Sequence, residues 1–152
     1  MNAAVENPFV SRRWKETKRL ALLATFEDSE TCTRAKEFCE GLSRDLGPDC
    51  KIIQHVWLFN TLRVRELQEI AAEEASVADL IIISAHQAAG LPEEVKSWIE
   101  RWLRQKSARR MMLVALLDPV YDRRGSGSVR PYLEEVARRG GMELLIKGAE
   151  EL

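Results

Sequence analysis

Hydrophobic positions along the chain fall into two alternating patterns. Short apolar runs, "RLALLAT" (19–25), "KIIQHVWLF" (51–59), "DLIIISA" (79–85), "RMMLVALL" (110–117) and "MELLIKG" (142–148), have the length of strands, and the continuous run of the first marks a strand buried on both faces. Between them lie stretches with apolar residues at helical spacing. Cys32, Ala35, Cys39, Leu42 and Leu46 mark the first helix, which Gly47-Pro48 stops. "LRVRELQEIAAEEASVA" predicts a second helix with Leu67, Ile70 and Ala71 turned inward. In "LPEEVKSWIERWLRQK", Val95, Trp98, Ile99, Trp102 and Leu103 form one stripe, Pro92 suits the first turn, and Glu93 and Glu94 complement the helix dipole. "VRPYLEEVARRGG" is the fourth helix.

The order β-α-β-α-β-α-β-α-β predicts an α/β fold: a doubly wound, five-stranded parallel sheet between helical layers, a three-layer sandwich. Right-handed crossovers favour the strand order 2-1-3-4-5. Residues 1–18 read as an N-terminal arm and 19–152 as one domain, a size that suits the 152-residue chain. Trp14 in the arm is expected to pack on the domain or on a second subunit.

Composition narrows the function classes. The formal net charge is −1, so no global field favours nucleic acid or an anionic membrane. No apolar run approaches the roughly 20 residues needed to span a bilayer. The N-terminus lacks the basic-then-apolar order of a signal peptide, which predicts a cytoplasmic protein. The three cysteines, at 32, 39 and 50, have neither disulfide-framework nor zinc spacing and read as small apolar residues. Trp98 and Trp102 read as core or subunit interface, so a homodimer stays open.

In an open parallel sheet, ligands bind beyond the carboxyl ends of the strands where the strand order reverses. Here that point lies between strands 1 and 3. Three loops converge on it: "TFEDSETCT" (25–33), "AHQAAG" (85–90) and "DPVYDRRGSGS" (118–128). In the first, Thr25, Ser29, Thr31 and Thr33 can aim hydroxyls at a phosphate beside a helix N-terminus. Glu27, Asp28 and Glu30 oppose that, each by about 1 kcal/mol or more at close range. Asp28 or Ser29 also serves as a plain helix cap. In the second, Ala85, His86 and Gln87 sit at a strand end, where an imidazole can stack on, hydrogen-bond or protonate a ligand, or be satisfied by a backbone carbonyl. In the third, Tyr121 can cover an aromatic ligand, and Gly125, Ser126 and Gly127 can supply amides near a helix N-terminus. His55 reads as structural. Trp57 and Phe59 read as cleft rim or packing surface.

The segment "SAHQAAGLPEEVKSWIERW" is similar to one in flavodoxin-like proteins, in particular the small NAD(P)H-dependent FMN and quinone reductases. There strand 3 ends, a loop meets the flavin and a proline opens a helix, matched here by Pro92, Val95, Lys96, Trp98, Ile99 and Glu100. The glycine-serine loop after strand 4 also has a counterpart. This resemblance implies a flavodoxin-like fold over residues 19–148. It implies FMN as a cofactor or another small nucleotide ligand, with residues 25–33 at the phosphate and 85–88 and 118–128 at the isoalloxazine ring.

The five-strand plan also resembles response-regulator receiver domains. Glu27 and Asp28 stand where those proteins carry acidic residues after strand 1, and Lys147 imitates their lysine after strand 5. Ser84, Ala85 and His86 stand where they carry the phosphoacceptor aspartate. That resemblance implies a non-enzymatic, pseudo-receiver-like regulatory or interaction domain that works without phosphorylation.

Overall fold

A computed structural model of the chain describes residues 17–86, 90–106, 111–118 and 129–148. Five strands, β1 (Arg19–Phe26), β2 (Lys51–Leu58), β3 (Leu80–Ala85), β4 (Met112–Leu117) and β5 (Glu143–Gly148), form one parallel sheet in the order β2-β1-β3-β4-β5. The helices are α1 (Ser29–Leu46), α2 (Arg65–Ser76), α3 (Glu93–Gln105) and α4 (Val129–Gly140). A 3₁₀ turn (Phe59–Arg63) precedes α2. The fold is α/β and flavodoxin-like, with helices on both faces of the sheet.

The pleat divides the strands between two cores. Leu20, Leu22 and Ala24 of β1, with Leu80 and Ile82 of β3 and Met112, Val114 and Leu116 of β4, meet Ala35, Cys39 and Leu42 of α1. The alternate residues Leu23, Ile81, Ile83, Leu113 and Ala115 meet α2, α3 and α4. All of β3 and β4 is buried, which is why their sequences are continuously apolar rather than alternating.

The α3 stripe is buried as its spacing predicts, with Val95, Trp98, Ile99 and Trp102 fully enclosed. The two indoles meet edge to face, with centroids 6.0 Å apart. This places the tryptophan pair in the core. Gly47 ends α1 at φ 84°, a conformation that only glycine adopts without strain.

Two local expectations change. Phe59 leaves the strand: it opens the 3₁₀ turn and enters the core, while Trp57 stays half-buried and donates to Glu74 at 2.8 Å. The inner face of α2 is rotated from the one expected. Gln68, Ala71, Ala72 and Ala75 are buried and Ile70 is exposed. α2 packs closely on α3, and the bulk of Trp98 and Trp102 leaves room there for alanines rather than for a row of large side chains. The exposure of Ile70 follows from that rotation; Val64 and Val77, which flank the helix, are exposed as well.

Among the described residues, no helix is long and apolar enough to cross a membrane. The glycine-serine loop, most of the N-terminal arm with Trp14, and the last four residues lie outside the described residues.

Candidate functional site

The site forms where β1, β3 and β4 end side by side. Asp28 caps α1. Its Oδ1 accepts from the Thr31 amide at 3.0 Å, and Thr31 Oγ1 accepts from the Asp28 amide at 2.8 Å. Thr31 Oγ1 also accepts from the Glu27 amide, at 2.8 Å, and donates back to Asp28. The turn is therefore stitched by its own side chains. Ser84, near the end of β3, donates to the Thr31 carbonyl at 2.8 Å and pins the start of α1 to the central strand.

His86 is the first residue past β3, and both of its ring nitrogens are engaged. Nδ1 lies 2.6 Å from Asp118 Oδ2, and Nε2 lies 2.8 Å from Asp28 Oδ2. Its backbone N–H donates to Glu27 Oε1 at 3.0 Å, and Glu30 Oε1 stands 3.8 Å from Nε2. Arg34, one turn into α1, reaches the other oxygen of Asp118 at 2.5 Å and comes within 4.0 Å of Glu30. Among the described residues, four carboxylates (Glu27, Asp28, Glu30 and Asp118) thus surround one guanidinium and one imidazole.

Burial draws the His86 pKa down, but hydrogen bonds and charge from Asp118 and Asp28 outweigh it and hold the ring above its usual 6.5. The Thr31 amide holds the Asp28 carboxyl below its usual 3.8, against the opposing effect of burial and with His86 adding to the lowering. Elsewhere, burial raises the Cys39 thiol to about 11, as suits a small core residue rather than a nucleophile.

The residues expected at this site are distributed unevenly. Thr25 is fully buried on the α2–α3 side of the sheet and its hydroxyl has no partner among the described residues. Thr31 is fully buried and occupied by the cap. Thr33 donates to the Ser29 carbonyl, and Ser29 is exposed as the first residue of α1. Ala85 is buried at the strand end, and His86 is central. Gln87, Tyr121, Gly125, Ser126 and Gly127 lie outside the described residues. Asp118 and Arg34 emerge as partners of the site that residue types alone did not single out. Asp118 follows the apolar run of β4 as His86 follows that of β3, so the same strand-end rule points to it.

Neither the flavin phosphate that the first resemblance implies nor the magnesium ion that true receiver domains hold has a ready seat in the first loop. A phosphate would meet Glu27 and Asp28, while the Thr25 and Thr31 hydroxyls are enclosed. A magnesium ion needs oxygen ligands in near-octahedral array. Asp28 is turned to His86 and to its own cap, and among the described residues no group of three His, Cys, Asp or Glu could hold a metal ion. The imidazole stands among the carboxylates that such a cation would require.

A second concavity, of about 440 Å³, lies between α2, α3 and α4 and is lined in part by Gln68, Lys96, Glu100, Arg101 and Tyr132. Several of its polar groups are paired. Glu100 accepts from Tyr132 and Arg139, Arg101 donates to Gln68, and Lys96 lies over the Tyr132 ring. It runs along the outer side of α3.

No known protein family matches the chain, and no curated protein shows significant similarity to it.

Proposed function

We propose that the chain is a non-enzymatic regulatory or interaction domain, pseudo-receiver-like in plan, whose switch-point pocket is filled by its own cation. The observation that carries this reading is His86, held at both ring nitrogens by Asp28 and Asp118. In a receiver the acidic residues after strand 1, matched here by Glu27 and Asp28, serve a metal ion beside the phosphoacceptor. Here Asp28 meets His86 and its own cap, and Ser84, Ala85 and His86 stand where the acceptor carboxylate would be. Such a domain works through the surface at its strand ends. The test is affinity capture with the tagged full chain from cell extract, comparing wild type with Asp118→Ala. A partner held reproducibly by the wild type and lost from the variant supports the reading. Absence of any partner, together with turnover on quinones, overturns it.

A second reading is a flavin or other nucleotide at the ends of β1, β3 and β4. One observation favours it: Arg34 Nη1 is buried at this site with no hydrogen-bond partner among the described residues and can serve an anionic group. Protein purified from cells would then show flavin absorbance or a bound nucleotide by mass spectrometry. If added FMN neither changes its fluorescence on mixing nor raises the melting temperature, this second reading fails.

A further inference from the structure

We infer that His86 is a pH-sensitive latch that ties the end of β3 to the cap of α1 on one side and to the end of β4 on the other. The inference goes beyond the proposed role and requires only the geometry of the strand ends.

A protonated imidazole has two N–H donors, and the two ring nitrogens of His86 each face a carboxylate oxygen, at 2.6 and 2.8 Å. A neutral imidazole has one donor. Its other nitrogen then presents a lone pair to a carboxylate, and that bridge becomes repulsive. Deprotonation therefore opens one side of the latch.

The surroundings decide which side. Asp118 is the more enclosed carboxylate, at 28% side-chain exposure against 47% for Asp28, and Arg34 holds its other oxygen. Asp28 retains its own cap through the Thr31 amide when His86 leaves it. The neutral ring thus keeps Nδ1–H on Asp118 and releases Asp28. Among the described residues, the remaining charged groups facing the ring are Glu27 from the β1–α1 turn, through the His86 amide, Glu30 in the first turn of α1, at 3.8 Å from Nε2, and Arg34 from α1 beyond Asp118. Among these residues the balance around the ring is four carboxylates to one guanidinium, which favours the proton on His86.

The direction with pH follows. His86 titrates above its unfolded value of 6.5, so its contribution is full below 6.5 and is lost as pH rises through the folded midpoint. Asp28 titrates below 3.8, so its contribution is full above 3.8 and is lost as pH falls through its folded midpoint. The latch is closed between these limits and opens on the alkaline side by release of Asp28.

Nitrogen-15 NMR of the histidine rings in the full chain, across pH 5–9, tests the latch. The expected result is a doubly protonated His86 ring at the acid end and a midpoint above 6.5. Protection of the His86 amide against hydrogen exchange, corrected for the intrinsic rate, should fall by about tenfold across that midpoint, the order of one charge-assisted hydrogen bond. Asp28→Asn keeps a good helix cap and is expected to fold. It should lower the midpoint toward 6.5 and flatten the protection profile. Asp118→Asn should lower the midpoint too. A wild-type midpoint at or below 6.5, or one that neither variant moves, overturns the latch. Because the readout is ring titration, its failure is distinct from failure of the capture experiment.

Discussion

The belt between α2, α3 and the sheet and the rim at the strand ends are built on opposite principles. In the belt, Trp98, Trp102, Ile81, Ile83, Ala71 and Ala75 have no exposed surface. Their stabilisation comes from apolar area and close packing, which depend little on pH or salt. At the rim, Asp28, His86, Asp118 and Arg34 are partly open to water and held by charge and hydrogen bonds. A region of the first kind fixes the fold. A region of the second kind responds to its surroundings.

The largest expected effect lies in the belt. Trp98→Ala removes a fully buried indole and should cost about 3–5 kcal/mol in chemical denaturation, with the cavity term included. A loss as small as that of a surface substitution would break the contrast.

The next prediction tests the rotated face of α2. Ala71→Leu forces extra methylenes against α3 and should cost about 1–3 kcal/mol. Ile70→Ala, on the exposed side, should stay within about 0.5 kcal/mol of wild type. Ala71 is inward on either face, so a large loss from Ile70→Ala is the result that would restore the face that sequence spacing suggested.

At the rim, Asp28→Ala removes both the α1 cap and one arm of His86. The cap alone is worth about 1 kcal/mol. Asp28→Asn should recover most of that loss, and thermal unfolding of the three proteins at one pH separates cap from latch.

The smallest effect carries the opposite sign. The Thr25 hydroxyl is buried with no partner among the described residues. Thr25→Val replaces it with a methyl of similar shape and should leave stability unchanged or raise it by up to about 1 kcal/mol in the same denaturation assay. A clear loss would show that the hydroxyl is satisfied in solution, by water or by a bound molecule.

Much of this was legible in the chain. The continuous apolar runs of β3 and β4, the α3 stripe from Val95 to Trp102 and the stop at Gly47 are local patterns, and they predicted the five strands, four helices and strand order. The place of His86 followed from topology. Its role did not, because residue type and spacing say nothing about whether Asp28, 58 positions away, and Asp118, 32 positions away, come within hydrogen-bond reach. The enclosure of the Thr25 hydroxyl was hidden for a related reason. Strand periodicity puts Thr25 on the same side as Leu23, but only the helices packed there decide whether water reaches it.

The sequence by itself determined the period of each element, and with it the alternation of strand and helix and a parallel sheet. These depend on neighbours a few residues apart, where a 3.6-residue or two-residue repeat is already physical. Tertiary structure alone decided that Ile70 faces solvent while Gln68 is buried. It alone decided that the hydroxyl-rich turn after β1 spends Thr31 on its own cap, and that its carboxylates meet an imidazole from another strand. Those outcomes depend on distances between segments remote in sequence, which are set by the packing of whole elements and not by any local repeat.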